Sequence, residues 1–173
     1  MRFMMLMIPK GYETAAPGTA PDAKAVEAMM KYNETLQKAG VLLALDGLHP
    51  PSTGARVSFP GGKPKVTDGP FAEAKEVIGG YWMIEVKSKA EAVKWAKRCP
   101  AGENEVIEIR QVQEMSDFPA DVQKVAAGFA EMQKELGQLK QSCSFALNPG
   151  VEPTNDREKR RCDSFHWSSQ TKK

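Results

Sequence analysis

The sequence predicts an α+β fold with one antiparallel sheet built from two β-α-β halves. Three observations carry this. Apolar or alternating runs of strand length recur along the 173 residues, separated by breaks rich in Gly and Pro. Between them lie segments with apolar residues three and four apart and capping residues at their ends. The resulting order is strand, helix, strand, hairpin, strand, helix, strand, helix. That is the split β-α-β, ferredoxin-like plan, with a small hairpin inserted in its middle.

Each element has a local reason. Phe3 to Ile8 is a continuous apolar run stopped by Pro9, and its length suits a buried strand. After a Gly/Pro/Thr/Ala loop, Asp22 is placed to cap a helix. Val26, Met29, Met30, Asn33 and Leu36 then recur at helical spacing, and Gly40 stands where a left-handed C-terminal residue belongs. Val41 to Leu45 reads as the second strand, leading into a loop stiffened by Pro50 and Pro51. Arg56 to Phe59, Gly61-Gly62 and Pro64 to Thr67 read as the hairpin. Ser88 and Glu91 form a capping box, Ala92, Val93, Trp95 and Ala96 give the next helix its apolar side, and Pro100 ends it. Glu105 to Gln113 is another strand, with Ile107 and Ile109 on one face. Pro119 opens a last helix, whose stripe is Val122, Val125, Phe129, Met132, Leu136 and Leu139.

The chain is organised around residues 65–87. A strand breaks at Asp68-Gly69-Pro70, where Asp-Gly favours a turn and Pro removes an N–H. The aromatic Phe71 follows. A second strand then runs from Val77 to Val86, and Gly79-Gly80 within it leaves room for a neighbouring backbone or a ligand. With both main helices on one sheet face, the other face carries apolar side chains from Met4 to Ile8, Val41 to Leu45 and Tyr81 to Ile84. Such a face needs a partner, and a second copy packed sheet to sheet supplies one.

Composition narrows the function. From Lys140 onward seven Lys/Arg stand against four Asp/Glu, whereas residues 1–139 hold 17 basic and 18 acidic residues. A nearly neutral body of this kind lacks the concentrated basic face of a nucleic-acid binder. After Leu139 the apolar periodicity stops, so a folded domain over 1–139 and a disordered basic tail over 140–173 are expected. Three widely spaced cysteines, Cys99, Cys143 and Cys162, form no disulfide framework and fit a reducing cytoplasm. His49 and His166 lie far from any cysteine pair, so no zinc site and no cofactor is expected. The apolar start is too short for a signal peptide, and no run reaches transmembrane length.

Gly47-Leu-His-Pro50, Thr67-Asp-Gly-Pro-Phe-Ala-Glu73 and the following Gly79-Gly-Tyr-Trp82 resemble the signature of the YCII-related, DGPF-domain family, over roughly residues 1–137. The resemblance implies a homodimer forming an α+β barrel, and a cleft between its sheet and loops is expected to bind a small molecule, as in a cofactor-free enzyme using Asp/His acid–base chemistry. DGPF domains also occur beside extracytoplasmic-function sigma factors, which implies a non-catalytic regulatory role as the alternative to an enzyme. Some members have a proposed His–Asp pair with the histidine on the first helix. Here the aspartate corresponds to Asp68, but the segment Asp22 to Ala39 contains no histidine.

Three polar residues end strands or lie just past them: Asp46, His49 and Asp68. Histidine titrates near neutrality and a carboxylate can orient it, so His49 and Asp68 are the candidate acid–base pair. Asp46, Tyr81, Trp82 and Phe71 are the candidate substrate-binding residues. Each also has a plainer reading: Asp before Gly is common turn chemistry, and aromatic residues at strand spacing are usually core.

Overall fold

The computed structural model describes residues 1–71, 76–129 and 131–135. The chain divides into two compact units, Met1–Val112 and the segment from Gln113 onward.

The first unit is an α+β fold with the expected connectivity. Four strands, β1 (Arg2–Ile8), β2 (Leu42–Gly47), β5 (Gly80–Glu85) and β6 (Val106–Gln111), form a sheet in the order β2-β5-β1-β6. Every neighbouring pair is antiparallel, and α1 (Ala23–Lys38) and α2 (Lys89–Ala96) are the two crossovers. The inserted hairpin, β3 (Ala55–Ser58) and β4 (Lys65–Asp68), pairs only with itself.

Alternation along the strands sorts side chains between the two sheet faces. Phe3, Met5 and Met7 of β1 and Trp82 and Ile84 of β5 are buried with Tyr32 and Leu36 of α1 and Ala92 of α2. Ile107 and Ile109 pack against this core from β6, as their spacing predicts. Tyr32 is its hub. Its ring meets the Trp82 ring edge-on, 5.8 Å between centroids, and its hydroxyl donates to the Trp95 carbonyl at 3.1 Å, tying α1 to the α2 side. The opposite face carries Met4, Leu6 and Met83, with Asp46 and Tyr81 toward the β2 edge and the Glu108–Arg110 ion pair on β6. It is therefore apolar at its centre and polar toward both margins.

Helix ends follow their capping signals. Asp22 accepts from the Ala25 N–H, and Gly40 at φ 68° closes α1 with its N–H on the Gln37 carbonyl. Ser88 accepts from the Glu91 N–H as expected, but the Glu91 carboxylate reaches back to the N–H of Lys87.

Two strand boundaries and the packing of one helix differ from expectation. Strand β5 starts at Gly80, not at Val77, because β1 beyond Ile8 is Pro9, which has no N–H to pair. Strand β2 continues through Asp46 and Gly47, held by Tyr81 and Gly80 opposite, and it carries a bulge between Leu42 and Ala44. The apolar stripe of α1 is only half used for packing. Leu36 is fully buried, while Val26 and Met30 remain 44% and 55% exposed.

In the second unit, α3 (Ala120–Val125) follows Pro119, with the Gln123 side-chain amide donating to the Phe118 carbonyl. Helical turns resume at residues 127–129 and 131–135. Val122, Phe129 and Met132 of the stripe stay exposed. Leu136, Leu139, the expected boundary at 139 and the tail over 140–173 lie outside the described residues.

Candidate functional site

A cleft of about 550 Å³ opens between the first half of α1 and one end of the sheet. Its floor is made by Met7, Leu45, Gly47, Gly80 and Trp82, all on the helix-facing side by strand register. Its roof is α1, through Ala25, Val26, Met29, Met30 and Asn33. Pro9, Tyr12 and residues 19–21 close one end, and Pro100, Gly102 and Glu105 lie along the far side.

The local sequence explains why the space exists. Gly47 and Gly80 lie opposite each other in the register, so the floor lacks two side chains just where α1 still has apolar residues to cover it. A Cβ on Gly47 would meet nothing within 4 Å, which marks open space. A Cβ on Gly80 would lie 2.9 Å from the Asp46 carbonyl oxygen, so glycine there lets β2 close on β5. Gly79 serves the end wall, since a Cβ would fall 2.5 Å from Pro9 Cγ. The room expected at Gly79-Gly80 thus admits neighbouring chain segments at both positions. Tyr12 fastens the end wall, its hydroxyl donating to the Leu48 carbonyl at 2.6 Å.

The polar fittings are few. Trp82 Nε1 donates to Asn33 Oδ1 at 2.8 Å, joining floor to roof. The Tyr81 hydroxyl donates to Asp46 Oδ2 at 2.6 Å, and this hydrogen bond to the carboxylate pushes the Tyr81 phenol above its ordinary pKa. Register places the Asp46–Tyr81 pair on the sheet face opposite Trp82, so the two residues reach the cleft at the sheet edge while their side chains meet across from it. Asp46, Tyr81 and Trp82 are brought together at this end of the sheet.

Asp68, His49 and Phe71 do not line this cleft. The loops that carry them do meet. Gly69 packs so closely on the Pro51 backbone that a Cβ would fall 1.7 Å from its carbonyl oxygen, and the Gly69 N–H donates to the Gly54 carbonyl at 2.8 Å. Backbone therefore fixes the Asp-Gly-Pro turn. Asp68 and His49 are both exposed, and among the described residues no side-chain hydrogen bond or ion pair engages either. Phe71 is half-buried under the Arg56 guanidinium, 4.0 Å from the ring centroid. Residues 72–75, which fall within the Thr67–Glu73 motif and just beyond it, lie outside the described residues.

Burial pushes the Cys99 thiol up to about 11, with Glu105 adding to the shift, so it stays protonated near neutrality and is no nucleophile there. Among the described residues no group of three His, Cys, Asp or Glu is placed to hold a metal ion, and no helix is long and apolar enough to cross a membrane.

Sequence reasoning missed Asn33 and Gly47 as site residues. The signal for Asn33 was present: it is the polar member of the apolar stripe Val26, Met29, Met30, Asn33, Leu36. Gly47 opens the motif Gly47-Leu-His-Pro50, but nothing in the sequence assigned it a place in a cleft, because that role depends on facing Gly80.

No curated protein matches the chain. The family model of the YCII-related domain matches residues 1–116, two-thirds of the sequence and the whole of the sheet unit, and the chain belongs to the YCII-related family.

Proposed function

We propose that this protein binds a small, largely apolar molecule in the cleft under α1, and that it does so as a homodimer whose open sheet faces pack into an α+β barrel. One observation carries the binding reading. A preformed space of about 550 Å³ has apolar walls and a handful of fixed polar groups, the usual make-up of a small-molecule site. Val26 and Met30, apolar yet about half exposed, are the wall that a ligand would cover. The dimer is supported by Met4 and Met83, both half-buried at the centre of that face, whereas Leu6 beside them is already buried within the single chain. The reading is one of binding; proton transfer by Asp68 and His49 draws no support from a cleft that neither residue lines.

A thermal-shift screen of metabolites against the wild type and Gly47→Phe tests this. A true ligand raises the melting temperature by mass action, and the phenyl group, built into open space, removes that rise without unfolding the protein. Light scattering during size exclusion should give twice the chain mass. A ligand shift that survives Gly47→Phe refutes the cleft, and a monomer at micromolar concentration refutes the barrel.

A further inference from the structure

We infer that the cleft selects neutral apolar molecules bearing a carbonyl oxygen and disfavours carboxylates. This rests on the binding reading above and gives the ligand a chemical class. The indole N–H of Trp82 is a donor only, so the Asn33 atom that faces it at 2.8 Å is the amide oxygen. The orientation of the Asn33 amide is thereby fixed. Its NH₂ group is turned away from Trp82, and among the described residues nothing accepts from it. Asn33 sits on the cleft roof, one turn beyond Met29 and Met30. A donor set in an apolar wall calls for an acceptor. Water serves when the cleft is empty, and a ligand that displaces water must bring an oxygen of its own.

Charge narrows the class further. The charged residues of the lining are Asp46 and Glu105, both acidic, with no Lys, Arg or His among them. The Glu105 carboxylate is held in place by the Gly102 N–H, and that of Asp46 by the Tyr81 hydroxyl. A carboxylate ligand would enter an apolar space with the Glu105 carboxylate at its border and no counter-ion, the Asp46 carboxylate being turned to the other sheet face, and screening by water there is weak.

The test is a titration of the full chain with four probes of one shape: 1-acetonaphthone, 1-ethylnaphthalene, 1-naphthoate and 1-naphthylmethylammonium. The signal is the Trp82 indole N–H resonance. The ketone should bind about 3- to 10-fold more tightly than the hydrocarbon, the worth of one neutral hydrogen bond, and more tightly than either ion. Asn33→Asp keeps an acceptor for Trp82 but loses the donor, so the ketone should fall to the level of the hydrocarbon. Asn33→Leu gives a second reading of the same loss without adding charge. Equal binding of ketone and hydrocarbon to the wild type, tighter binding of either ion, or a ketone advantage that survives both variants overturns the inference and leaves the cleft reading standing. If no probe binds, both fall.

Discussion

Tyr32→Phe should destabilise the protein at neutral pH and cease to do so in alkali. Tyr32 is 5% exposed, and its hydroxyl donates to the Trp95 carbonyl at 3.1 Å. Removing the hydroxyl keeps the edge-on contact with Trp82 but takes one donor from that carbonyl, which retains the Arg98 N–H at 3.0 Å, a loss of about 1 kcal/mol. Burial, the largest cause, holds the Tyr32 phenol well above its ordinary value, with Cys99 adding to the rise and Arg98 opposing it. The folded state thus keeps a proton that the unfolded state releases once pH passes the ordinary tyrosine value of about 10. The stability tied to this group is complete below that value. It is lost as pH rises, by about 1.4 kcal/mol per pH unit, until the folded pKa is passed. Near pH 11 that loss offsets the hydrogen bond, so wild type and variant should have about equal stability. Urea unfolding followed by circular dichroism at pH 7 and near pH 11 measures both differences, and titrations common to the two proteins cancel. A wild-type advantage that stays the same at both pH values would refute the reasoning.

The loops give further expected outcomes. Gly69→Ala, whose Cβ would lie 1.7 Å from the Pro51 carbonyl oxygen, must push apart closely packed backbones and should cost about 1–3 kcal/mol. Gly47→Ala, with nothing in reach, should stay within about 0.5 kcal/mol, and equal effects in denaturant melts would contradict the contact. Asp68→Asn and His49→Gln should each change the melting temperature by less than about 2 °C, because neither side chain is engaged among the described residues. If either variant instead removes the pH dependence of ligand binding, the acid–base role expected of these residues from the sequence is restored.

The order of elements was legible in the sequence because each element announces itself locally. Pro9 stops β1, Asp22 and Gly40 bracket α1, and Ser88 with Glu91 starts α2. The site was only partly legible. Asp46 stood out because it ends a strand, and Tyr81 and Trp82 because they are aromatic residues directly after Gly79-Gly80. What stayed hidden depends on pairing across strands or on spare space. Gly47 matters because Gly80 is opposite, and Val26 matters because the sheet beneath it lacks side chains. Asp68 and His49 drew attention as titratable residues beside turn formers. The backbone contact of Gly69 with Pro51 accounts for the tight turn without them.

The bulge in β2 decides what the cleft is made of. Strict alternation from Leu42 would send Ala44 and Asp46 to the helix side, seating a carboxylate opposite Gly80 on the floor and turning Leu45 and Gly47 outward. The surplus residue is instead stored at the sheet edge, where Leu43 is 49% exposed. The strand then resumes in the other phase: Leu45 comes beside Trp82, Gly47 comes opposite Gly80, and Asp46 turns outward to meet Tyr81. One stored residue thus gives the cleft its apolar floor. Shortening the strand by Leu43 would empty the store and leave both faces as they are, whereas removing Ala44 with the bulge intact would exchange them.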